Sequence, residues 1–156
     1  MAMKLIQSIG LGCLLLAAAG ESRSRVTPVY GPTNPSPQQQ AKSGVRYYGE
    51  VIELRPDKEQ QYRELHADVW PGVVAAIKKA NIRNYNIFVA ELNGNRYLFS
   101  SFEYHGNDPE KDFAVMANDP TTRDKWLPVT DACQRRLPGT PDGQQWKPIE
   151  QLMHIE

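Results

Sequence analysis

Residues 45–54 alternate β-branched or aromatic side chains with polar ones, the period of a half-buried strand, and Arg55-Pro56-Asp57 stops the run. From Lys58 the period changes. Tyr62, Leu65, His66 and Val69 recur at helical spacing on one face, while Lys58, Glu59, Arg63 and Glu64 fill the rest. Pro71-Gly72 interrupts that helix, and because proline is tolerated in a first turn, a second helical piece is expected over 73–80, with Lys78-Lys79 near its end. Residues 85–92 and 96–104 then alternate again around Asn93-Gly94-Asn95, and Asn-Gly between two alternating runs is the strongest short-range hairpin signal. A helix with an acidic start is expected over 108–117, and a further helical segment, disturbed by Pro128, from Pro120 to about Cys133. After the Pro/Gly-rich loop 138–143, residues 150–155 read as a last strand.

The order β-α-β-β-α-β is that of an α+β protein with a ferredoxin-like antiparallel sheet and helices on one face. The other face of such a sheet needs cover. A second copy of the chain is the economical answer, giving a homodimer of α+β units.

Composition adds boundaries to this pattern. With 156 residues the chain is sized for one domain, and 18 basic against 18 acidic residues leave no surplus charge for tracking phosphates, so nucleic acid is not an expected partner. At the N-terminus Lys4 precedes an apolar run over 5–16 and then Ala17-Ala18-Ala19-Gly20, the layout of a secretory signal peptide over residues 1–20. The run is shorter than a membrane span. Export to the periplasm or the medium is the expectation, with Leu11-Gly12-Cys13 as a lesser lipoprotein alternative, and no membrane partner unless Cys13 is lipidated. Residues 21–44 carry Pro28, Pro32, Pro35, Pro37 and Gln38-Gln39-Gln40 with almost nothing to bury, and read as a disordered or extended linker. The folded domain is then 45–156. Its one cysteine, Cys133, reads as a free buried thiol.

Candidate chemistry concentrates in the first helix. Tyr62 and His66 stand four apart, so a phenol and an imidazole share one face and can point into one cavity, a pair able to move protons near neutral pH. On spacing alone a structural histidine is the commoner reading. Asp68 lies two residues beyond His66 and diverges from it on a helix, and no second His or Cys stands at ligand spacing, so no metal is expected. His105, His154, Arg136 and Trp146 read as surface, structural or packing residues. There is neither a glycine-rich phosphate loop nor a nucleophile elbow.

Tyr62-x-x-x-His66-x-x-x-Trp70-Pro71, followed by Asn84-Tyr85-x-Ile87, the hairpin and Trp126 near the end of a late helix, resembles the L-rhamnose mutarotase family from Tyr47 to the C-terminus. The resemblance implies a small dimeric α+β-barrel that interconverts the α and β anomers of L-rhamnose or a similar 6-deoxy hexose without a cofactor. It implies His66 as proton donor and Tyr62, Tyr85 and Trp126 as sugar-binding residues. The chain departs from the family pattern at Ala67, Gly72 and Lys125. The alternative reading is a secreted carbohydrate-binding module that keeps the aromatic pocket without efficient proton transfer. A third is an oxygenase-like or heme-related activity on the same scaffold, since fold does not fix function.

Overall fold

The structure is a computed structural model that describes residues 27–155. The signal segment 1–20 and residues 21–26 of the linker lie outside the described residues.

The element order is α1 (Pro37–Ser43), β1 (Arg46–Leu54), α2 (Glu59–Ala67), α3 (Pro71–Lys79), β2 (Ile82–Leu92), β3 (Asn95–Tyr104), α4 (Pro109–Ala117), a π-helical turn (Thr122–Trp126), α5 (Leu127–Asp131), β4 (Gln134–Arg135) and β5 (Lys147–Ile149). All strand pairs are antiparallel, in the order β2-β3-β1, with β4 and β5 sharing the far edge of β1. This is the expected ferredoxin-like α+β sheet.

The pleat sorts the side chains. Ile52 and Leu54 of β1, with Leu98 of β3, point toward the helices and form the core with Tyr62 of α2 and Cys133. One residue along, the cross-strand neighbours Val51, Phe99 and Phe88 point the other way, where among the described residues no helix lies over them. Phe88 is 60 % exposed and Ile149 of β5 45 % exposed. At the far end of β3 the fully buried Tyr104 donates its hydroxyl to Asp112 Oδ2 at 2.8 Å, and Asn81 Nδ2 donates to the same oxygen at 2.9 Å. That shared carboxylate ties α4 to the sheet and to the turn before β2.

Three departures from the sequence reading have local causes. The supposed linker contains α1, which buries no residue and is held instead by polar bonds. Ser36 and Gln39 form a reciprocal capping box, Pro37 sits in the first turn, and Gly44, at φ 82°, ends the helix. The Gln40 amide then donates to Gln151 Oε1 at 3.0 Å and accepts from the Tyr47 amide at 3.3 Å. A composition argument that looks for something to bury cannot see such a helix.

The last strand is the second departure, since it lies at Lys147–Ile149 against Val51–Gly49 rather than at 150–155. Beyond Gly49 the edge of β1 is already taken: the Tyr47 amide goes to Gln40, His154 stacks on Tyr47 at 3.9 Å, and the His154 amide donates to Thr33 O at 2.6 Å. The third comes at the end of the segment from Pro120 to Cys133, which is helical to Asp131 and, as expected, disturbed at Pro128. Pro128 has no N–H for the carbonyl four residues back, and the helix widens before it, so that the Leu127 amide reaches Thr122 O. The short strand β4, which was not expected, follows directly.

Candidate active site

Helix α2 carries Tyr62 into the core at 4 % exposure, and one turn later the same face presents His66. Their rings stack with centroids 4.0 Å apart and planes 22° from parallel. Trp126, at the end of the π-helical turn, lies 5.1 Å from the imidazole, and Trp70 meets Trp126 edge-on at 5.2 Å. Trp70 has an extended backbone, ψ 134°, so the chain turns between α2 and Pro71, the first residue of α3. The widened turn before Pro128 is thus what holds Trp126 against His66.

Tyr85 arrives from the opposite wall. The β2–β3 register shifts between Arg83 and Asn86, and Asn84 adopts φ 49°, a bulge that re-aims the residue after it. Tyr85 packs edge-on against Phe102 at 5.4 Å. Together Tyr62, His66, Tyr85, Trp126, Asp131 and Gln134 line a cavity of about 920 Å³ between the helices and the sheet. Its size falls in the upper part of the usual range for small-molecule sites, ~300–1,000 Å³.

The protonation of His66 follows from one bond. His66 Nδ1 lies 2.9 Å from the Tyr62 carbonyl oxygen, and a carbonyl only accepts, so Nδ1 carries the proton. In the neutral ring Nε2 is then bare and basic. Burial pushes the His66 pKa below the usual imidazole value, with the bond to the Tyr62 carbonyl opposing it, and the ring is neutral at pH 7.

Both phenols are pushed the other way. Burial raises Tyr62 most, Tyr85 adds to it, and a bond from the Gln134 side chain pulls back. Tyr85 is 41 % exposed as a residue, yet desolvation dominates at its hydroxyl, with Glu50 behind it reinforcing the rise and Ser100 opposing it. Glu50 sits on the core-facing side of β1, held above the usual carboxylate range by burial, and accepts from Ser100 Oγ at 3.3 Å. Both tyrosines therefore keep their protons and serve as hydrogen-bond donors. Gln134 Oε1 is buried with no protein partner.

The four residues singled out in the sequence, His66, Tyr62, Tyr85 and Trp126, all line this one cavity. Lys125 is exposed and stands outside its wall. Gly72 packs against Thr121, where a Cβ would come within 3.1 Å of the threonine side chain. The lining residues Asp131 and Gln134 were not singled out in the sequence, and Trp146, expected to pack, lines the cavity and also packs on the core. A signal for Gln134 existed, because Trp126, Thr130 and Gln134 recur every four residues. His105 pairs with Glu103 at 2.7 Å and His154 stacks on Tyr47, both away from the cavity. Cys133 is fully buried, its thiol raised by desolvation and donating to Val129 O at 3.3 Å.

The lowered His66 pKa has a sign for stability. Below about pH 6.5 the unfolded chain protonates this imidazole before the folded chain does, so its contribution is present above that pH and is lost as pH falls toward the folded value. Chemical denaturation from pH 7.5 to 5.5 is expected to show the wild type losing more stability than His66→Gln. Parallel curves would contradict the buried neutral ring.

The sequence profile of the family described as L-rhamnose mutarotase matches residues 47–155. The L-rhamnose mutarotase of Lactiplantibacillus plantarum is 29 % identical over 69 % of this chain and 96 % of its own length. The L-fucose mutarotase of Xanthomonas campestris is 31 % identical over 62 % of this chain and 78 % of its own. A crystal structure of the L-rhamnose mutarotase of Formosa agariphila aligns at TM-score 0.48 and 20 % identity, covering 71 % of this chain and 99 % of that one. On the profile match the chain belongs to the L-rhamnose mutarotase family, anomer-interconverting isomerases of carbohydrates.

Proposed function

We propose that this cavity interconverts the α and β anomers of L-rhamnose or a similar 6-deoxy hexose, with His66 as the proton-transfer group at the anomeric hydroxyl. The observation that carries the reading is the Nδ1 bond to the Tyr62 carbonyl, which leaves a basic Nε2 on a ring lining an aromatic cavity. Ring opening requires a proton to leave O1 while another reaches the ring oxygen, and ring closure on the other carbonyl face reverses both transfers. Neutral His66 takes the O1 proton on opening and, as imidazolium, returns it on closing. The proton-donor role expected from the resemblance is thus the closing half of one cycle. Trp126 offers its ring to the apolar C–H face of a pyranose, and the Tyr62 and Tyr85 hydroxyls donate to its oxygens. The relatives named for L-rhamnose and for L-fucose support a 6-deoxy sugar as the substrate class.

Saturation-transfer NMR reads anomer exchange directly. With L-rhamnose and with L-fucose, the wild type is expected to exceed the buffer rate and His66→Gln to lose on the order of 10²-fold or more. Binding without exchange in the wild type would leave a carbohydrate-binding module instead.

The helix-free face of the sheet supports a homodimer. Phe88 at 60 % exposure sits beside Phe99 and Val51, an apolar strip that a second copy would cover. Sedimentation equilibrium is expected to give a dimer for the wild type and a monomer for Phe88→Asp. A wild-type monomer at micromolar concentration would overturn this assembly.

A further inference from the structure

Asp131 is the last residue of α5 and lines the same cavity as His66. Its carboxyl group makes no hydrogen bond or ion pair among the described residues, although it is half-buried. An ionisable group withdrawn from water without a partner is costly, and such groups gather where chemistry needs them. It is close enough to Tyr62 to act on that phenol electrostatically. The other ionisable groups around the cavity are Tyr62 and His66 of α2, Lys78 of α3, Arg83 and Tyr85 of β2, and Arg136 beyond β4. The two arginines are engaged elsewhere: Arg83 donates to the carbonyls of Lys78 and Ile82, and Arg136 to those of Thr140 and Pro141. Among the described residues no guanidinium pairs with Asp131.

Resting on the mutarotase reading, we propose that Asp131 is the second catalytic residue, the group that protonates the ring oxygen while His66 deprotonates the anomeric hydroxyl. On opening, the O1–H proton passes to His66 Nε2, the C1–O5 bond breaks as C1=O1 forms, and the Asp131 carboxyl proton passes to O5. The aldehyde then turns about C1–C2. On closing, O5 attacks C1, its proton returns to the Asp131 carboxylate, and the imidazolium returns a proton to O1. Atoms, charge and protons balance over the cycle, and no cofactor enters.

The alternatives on the page are weaker. Both cavity phenols are held above their ordinary pKa, which makes them poor proton donors. Burial raises the carboxyl of Asp131 and lowers the imidazole of His66, bringing the two closer together, so that a single proton can be held between them.

The test is the exchange rate of Asp131→Asn and Asp131→Glu in the full chain, beside the wild type and His66→Gln, with L-rhamnose at several concentrations and pH values. Wild-type kcat is expected to peak between about pH 3.9 and 6.5, the ordinary carboxylate and imidazole values, because only the singly protonated pair is active. Asp131→Asn should lose on the order of 10²-fold in kcat with KM little changed, and its alkaline limb should flatten. Asp131→Glu should restore part of the rate. A wild-type kcat in Asp131→Asn, or a loss confined to KM, would overturn the assignment while leaving His66 in place. Thermal unfolding and saturation-transfer contacts to the sugar establish that the Asn variant is folded and binds. Exchange absent from the wild type would sink the mutarotase reading and this inference with it.

Discussion

The stack of Tyr62 on His66 is the contact from which the site is built. A helix places residues four apart on one face, but here the earlier of the two is 4 % exposed and locked in the core with Ile52, Leu54 and Leu98. The imidazole lies on that fixed phenol at 4.0 Å and gives its Nδ1 proton to the carbonyl of the same residue. Ring plane, tautomer and basicity are therefore all set by one turn of helix anchored in the sheet. A histidine one residue away would have neither the stack nor the carbonyl.

The remaining walls come from two places where regular structure breaks. Pro128 forces the widened turn that presses Trp126 onto His66, and the bulge at Asn84 turns Tyr85 in from the sheet. Each irregularity costs local hydrogen bonding, and each delivers an aromatic ring to the cavity. The antiparallel sheet supplies the rigid floor and exposes Phe88 and its neighbours on its far side. At the edge of β1, α1 and residues 150–154 are knit together by Gln40, Tyr47 and His154, and of these only α1 with Gln40 lies N-terminal to the family match.

What the sequence disclosed follows the same physics. Alternation and Asn93-Gly94 located the hairpin to within a few residues, since that signal is local. Tyr62 and His66 were legible because both lie on one helix, and Tyr85 and Trp126 because they completed a recognisable spacing. Asp131 was not, for its role depends on how a π-helical turn closes the cavity, and Gln134 was signalled only by its four-residue spacing from Trp126 and Thr130. Helix α1 was missed because capping and Gln40, rather than burial, hold it. The last strand was misplaced because apolar Leu152 and Met153 read as strand, whereas the edge of β1 beyond Gly49 is occupied by the segment before it.

The central claim is that the Tyr62 carbonyl fixes His66 as the Nδ1–H tautomer, leaving Nε2 to handle the proton at O1. Nitrogen-15 NMR of the imidazole side chains at pH 7 tests it directly. The account predicts that the His66 resonances show a protonated Nδ1 and a bare Nε2, collapsing to the imidazolium pattern with a midpoint below pH 6.5, the ordinary imidazole value. A ring protonated on Nε2 at pH 7, or already an imidazolium there, would contradict it.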